Sequence, residues 1–169
     1  MRFGSSIVAA VAMTVSSLAA LGAPLATPKD KPILEIAGSI SVTNKEAAAV
    51  FDREMLESLG METITTTTPW HKGPVTFEGV RMTKVMQLVQ AKGKTIRALA
   101  LNDYETQIPM EDFAKFNVIL ALKRDGEYMP VRDKGPLFIV YPYDSTPELK
   151  SQTYYGRSAW QLKKLQVVE

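Results

Sequence analysis

Apolar and polar positions alternate through much of the chain and divide it into short segments. Residues 34–40 alternate and predict a first strand. Residues 62–68 are rich in β-branched threonine, which suits a pleated surface, and residues 75–77, 95–101 and 105–108 read as further strands. Two runs, 118–122 and 137–141, are apolar without alternation, as in strands buried on both faces. The second is bracketed by Gly135-Pro136 and Pro142, because proline cannot donate to a sheet ladder. It is expected in the middle of a sheet, with strands on either side. Asp125-Gly126 signals a hairpin that returns through Glu127, Tyr128 and Met129. Residues 160–167 alternate with a slip at Lys163-Lys164, which predicts a β-bulge.

Helical patterns are confined to short stretches. Thr43-Asn44-Lys45-Glu46 has the form of a capping box and predicts a helix as far as Leu59. Ala48, Phe51, Met55 and Leu59 would share one face, and Gly60 would end it. Helices are also expected over residues 83–92, from Pro109 through Phe116, and from about Pro147. Strands and short helices interleave without a regular βαβ rhythm. The fold class expected is therefore α+β, one domain with a mixed sheet over residues 33–169.

Composition narrows the function classes. Residues 1–26 join Arg2 to an uncharged apolar and small-residue run and read as an export signal cut after Ala26. An uncleaved N-terminal anchor is the alternative. Residues 27–32 are then a linker, and the protein is expected in the periplasm or secreted. Removing residues 1–26 takes away Arg2 alone, so the formal net charge falls from +2 to +1. Charges of both signs are scattered and no Lys/Arg run stands out, so nucleic acid is not an expected partner. The chain has no cysteine and a single histidine, His71. That removes thiolate nucleophiles, iron–sulfur ligation and a His-rich metal site.

The remaining candidates cluster in loops. His71 is the one side chain whose ordinary pKa lies near neutrality, which makes it the candidate for proton transfer, although a loop histidine can equally be just exposed. Lys72 beside it would depress its pKa if the two were close. Trp70 could stack on a flat heterocycle or plug one end of the core. Thr65 to Thr68 offer hydroxyls for a polar pocket, or one solvated face of a strand. Arg132 and Arg157 suit a small anionic ligand, since guanidinium meets phosphate or sulfonate oxygens in two places. Arg132 could instead pair with Asp133. Tyr141 and Tyr143, at the exit of an apolar strand, suit either the lip of a cleft or the core.

Three blocks together resemble a known family. Trp70, Gly73, Phe77-Glu78-Gly79-Val80, Met82 and Met86 form the first, and Asn102-Asp103-Tyr104 with Ile108-Pro109 the second. The third runs from Asp125-Gly126 through Gly135-Pro136 to Pro142, and Trp160-Gln161-Leu162 resembles the closing strand. In this order they are similar to the molybdopterin-binding oxidoreductase domain of the sulfite-oxidase type. The resemblance implies an α+β fold holding a molybdenum–pterin cofactor, with a cysteine thiolate on the metal from a loop just before the Trp-Gly block. That loop here reads Thr65-Thr66-Thr67-Thr68-Pro69-Trp70. The expectation is a non-catalytic member, without the cofactor, that serves as a binding or partner module. One alternative is an active molybdopterin oxidoreductase with an unusual ligand set, and the other is a structural or regulatory partner of a membrane protein.

Overall fold

Both fully apolar runs become strands of one sheet in the computed structural model, which describes residues 24–169. The reading of residues 1–26 as an export signal falls almost wholly outside the described residues. In chain order the elements are β1 (Leu34–Gly38), β2 (Ala49–Phe51), α1 (Arg53–Glu57), β3 (Met61–Thr67), β4 (Pro74–Arg81) and α2 (Met82–Leu88). They continue through β5 (Thr95–Ala100), β6 (Glu105–Pro109), α3 (Glu111–Lys115), β7 (Ile119–Arg124) and β8 (Glu127–Tyr128). The last are β9 (Phe138–Val140), α4 (Gln152–Arg157) and β10 (Leu162–Val168). A first sheet has the order β2-β1-β10-β5-β6, with β1 and β10 parallel. In the second, β3-β4-β7 run antiparallel, and β8 and β9 share the far edge of β7. The mixed-sheet α+β fold is thus as expected.

One continuous apolar cluster draws on both sheets and on α2, with Ile36, Phe51, Phe77, Met82, Ile96, Leu120, Phe138 and Leu165 all fully buried. The β4–β7 ladder carries a register shift at Glu78/Gly79. A Cβ on Gly79 would lie 2.1 Å from the Leu120 carbonyl oxygen, so only glycine permits this approach of the two backbones. The Asp125-Gly126 turn has positive φ at both residues, +50° and +85°, the geometry that matches the twist of a hairpin. β10 shifts register between Leu162 and Lys164, where the bulge was expected.

Three expectations are corrected. The helix over residues 43–59 does not form. Residues 45–48 make a tight turn, and Ala49–Phe51 pairs with β1. Asn44 both accepts from the Val50 amide and donates to the Val50 carbonyl, acting as a stand-in strand partner. The helical remainder is α1, capped by Asp52, whose carboxylate accepts from the Met55 amide at 2.9 Å. A ladder with β1 outweighed the local capping signal. Second, β9 is not central; β7 is. β9 pairs with β7 over three residues, and its other edge meets the segment entering β10. There Ile139 N–H donates to the Ala159 carbonyl, Leu162 N–H donates to the Leu137 carbonyl, and Phe138 bridges Trp160. The chain between Ala159 and Leu162 therefore stitches one sheet to the other. Third, of the two readings of Tyr141 and Tyr143 the lip falls and the core holds: their exposures are 0% and 1%.

Candidate functional site

The loop after β3 carries the chemistry. Thr68, Trp70 and His71 follow the strand, half-buried, and Arg124 links His71 to Asp133 in the 3-10 turn Val131–Asp133. Thr68 Oγ1 and His71 Nδ1 are 2.8 Å apart, and His71 Nε2 lies 3.2 Å from Arg124 Nη1. Arg124 in turn grips Asp133 with both nitrogens, at 3.0 and 2.5 Å. Burial, reinforced by the positive charges of Arg124 and Lys134, holds the His71 pKa below its ordinary value. Lys72 is exposed, and the cations facing the ring come from elsewhere in the chain.

These contacts fix the direction of the proton. Arg124 can only donate, so Nε2 accepts, and the neutral ring carries its hydrogen on Nδ1. That hydrogen is donated to Thr68 Oγ1, which also accepts from the Trp70 amide at 3.3 Å. His71 is therefore turned the wrong way to take a proton from Thr68. An activated nucleophile needs the base to accept from it. The arrangement clamps the loop to the end of β7 rather than activating a hydroxyl.

The other threonines are also engaged. Thr65 Oγ1 lies 3.0 Å from Thr76 Oγ1, and Thr66 Oγ1 accepts from the Asp144 amide at 3.0 Å. Thr67 donates to Asp144 through its hydroxyl and its amide, each at 2.6 Å. Lys150 and Thr67 together keep the Asp144 carboxyl well below the usual carboxylate range. Among the described residues, no group of three or more His, Cys, Asp or Glu side chains is placed to hold a metal ion. Hard hydroxyls already bonded to protein, in a chain without cysteine, do not fit a molybdenum thiolate centre.

Trp70 packs edge-on against Phe138, Tyr143, Tyr155 and Trp160, with ring centroids 5.1 to 6.2 Å apart. Lys134 Nζ stands 3.9 Å over the Trp160 ring, and its burial lowers its pKa. Beyond Tyr155 and Trp160 lies a small cavity of about 140 Å³, completed by Asn102, Tyr104 and Ser158. Tyr104 donates its hydroxyl to the Gly156 carbonyl at 2.6 Å and forms one wall.

Of the remaining candidates only Tyr143 touches this loop, through the Trp70 ring. Arg132 is exposed, and its neighbour Asp133 pairs with Arg124 instead. Arg157 donates to Asp112 at 2.8 Å, and the same carboxylate oxygen accepts from the Tyr141 hydroxyl at 2.8 Å. Tyr143 is hydrogen-bonded to Ser158 at 2.5 Å. Burial pushes both tyrosine hydroxyls well above their ordinary pKa. Arg157, Tyr141 and Tyr143 are thus tied into the interior. Arg124, Lys134, Tyr104 and Trp160 are site-lining residues that the sequence pattern did not single out. Arg124 would have needed the Phe77–Arg124 pairing, which emerges only with the β4–β7 register.

A family model described as "Oxidoreductase molybdopterin binding domain" matches residues 43–145. No curated protein matches the chain. Among solved structures, the sulfane dehydrogenase SoxCD from Paracoccus pantotrophus is similar, with TM-score 0.60 and 19% identity over 80% of this chain. The match spans 37% of that chain, so the likeness is one of fold over part of a longer protein.

Proposed function

The chain belongs to the oxidoreductase molybdopterin binding domain family, and from that premise we propose that it is an exported, non-catalytic member that keeps the scaffold for binding. One observation carries this reading. In the segment where relatives are expected to place the metal thiolate, all four threonine hydroxyls are bonded to protein groups. A threonine hydroxyl ionises far above physiological pH and lacks the soft sulfur donor that suits this metal. The reversed His71–Thr68 hydrogen bond agrees, since it supplies no nucleophile in the metal's place.

What the scaffold would bind is a small anionic or heterocyclic ligand in the aromatic-walled cavity beside Trp160. Tyr104, Tyr155 and Trp160 line it, Asn102 and Ser158 supply polar groups, and Lys134 stands over the Trp160 ring. A periplasmic or membrane-anchored protein would be the partner that reads the loaded state.

The test is metal and pterin analysis of the protein purified from the periplasm of a host that makes the cofactor, grown with ample molybdate. The expected result is neither molybdenum nor a fluorescent oxidised pterin. Stoichiometric amounts of both would overturn the proposal and make this an oxidoreductase with an unusual ligand set.

A further inference from the structure

A larger concavity lies at the start of β1. Together with β2, the start of β10 and the loop leading to β9, it forms a groove of about 490 Å³. That lies within the roughly 300–1,000 Å³ usual for small-molecule sites. Its apolar lining joins Pro32, Ile33 and Pro136 to Leu34, Val50 and Leu162, which are almost wholly covered. Leu101 and Val131 also line it, although they are 46% and 51% exposed. They are two of only five large apolar side chains left exposed among the described residues, so their meeting at one groove marks an apolar contact surface.

The charged residues of the groove are nearly all of one sign. Lys31, Lys45, Lys163 and Lys164 line it together with a single carboxylate, Glu35. Lys164 takes Glu35 at 2.8 Å, and Lys163 reaches Asp103 at 3.2 Å. Lys31 and Lys45 meet no carboxylate among the described residues and are exposed. An apolar floor with two free ammonium groups beside it complements one kind of molecule, with an apolar tail and an anionic head. An alkyl cation would be repelled, and a polar anion would leave the floor in water.

We propose that this groove binds a single-chain alkyl carboxylate, its tail along Ile33, Leu101 and Val131 and its head toward Lys31 and Lys45. Each methylene taken from water strengthens binding, while the lysines select the sign of the head. The proposal is independent of the molybdopterin question, because no residue of the loop after β3 lines the groove.

Calorimetric titration of the full chain with dodecanoate, kept below its micelle-forming concentration, tests it. One-to-one binding is expected, with decanoate weaker by about tenfold for two lost methylenes. Dodecyltrimethylammonium should bind at least about tenfold more weakly than dodecanoate, and so should dodecanoate to the Lys31→Glu, Lys45→Glu double variant. Leu101→Asp, at an exposed position, should weaken dodecanoate as well through the apolar half of the site. Saturation seen only with micelles, equal affinity for the alkyl cation, or unchanged affinity in either variant would each overturn the proposal.

Discussion

Arg124 with Asp133 and His71, and Arg157 with Asp112 and Tyr141, are built from similar parts. In each, an arginine meets an aspartate, with a titratable ring alongside. The arginine side chains are equally covered, at 24% and 23% exposure. The carboxylates are not: the Asp133 side chain is 45% exposed and that of Asp112 only 6%. Water can replace a lost partner in the first cluster but not in the second. Charged residues that look alike in sequence thus do different work, one trio pinning a surface loop and the other satisfying an interior.

The comparison breaks most readily at Asp112. Asp112→Ala strands the buried Tyr141 hydroxyl and removes the partner of Arg157, which keeps 23% of its side chain in water, and should cost about 2 kcal/mol or more in denaturant unfolding. A loss below about 1 kcal/mol would put the two clusters on the same footing. Trp70→Ala comes next. Although Trp70 adjoins His71 in sequence, its four edge-on ring contacts tie it to the interior, and about 2 kcal/mol should be lost. Arg124→Ala should cost only about 1 kcal/mol, because Asp133 is left in contact with water. The same change should raise the His71 titration midpoint, by removing a nearby positive charge and opening the ring to solvent.

The smallest effect is a pH dependence confined to His71. Its folded pKa lies below its ordinary value, so the unfolded chain binds this proton first as pH falls. The contribution is complete above the unfolded value, about 6.5, and is lost as pH drops from there through the lower folded value. As the chain has one histidine, a single imidazole resonance followed by NMR reports the midpoint directly. A midpoint at or above the ordinary value would mean that the ring is neither buried nor faced by Arg124. His71→Gln should flatten the stability slope over that window.

Most strands were legible because their signals are local: alternation, glycine and proline brackets, and the Asp125-Gly126 turn. Thr43-Asn44-Lys45-Glu46 misled for a physical reason. A capping box competes only within its own turn, whereas Ala49, Val50 and Phe51 gain a ladder with Ile36, Glu35 and Leu34 of the preceding strand. The site divides the same way. Thr68, Trp70 and His71 were legible because they share one loop. Arg124, Asp133, Lys134 and Trp160 join them only through strand register and through the chain that stitches the two sheets. Tyr141 and Tyr143 carry hydroxyls that suit a lip in sequence, but their partners Asp112 and Ser158 come from other segments and take them inside.

The parallel pairing of β1 with β10 has a consequence for the order of events in time. Ile36 waits for Leu165, and β5 waits for the same strand, so the first sheet lacks its middle until β10 has emerged. A chain delivered N-terminus first would hold β2-β1 and β5-β6 as two unjoined hairpins, each with an apolar face uncovered. Arrival of β10 is then the step that joins the two hairpins into one sheet.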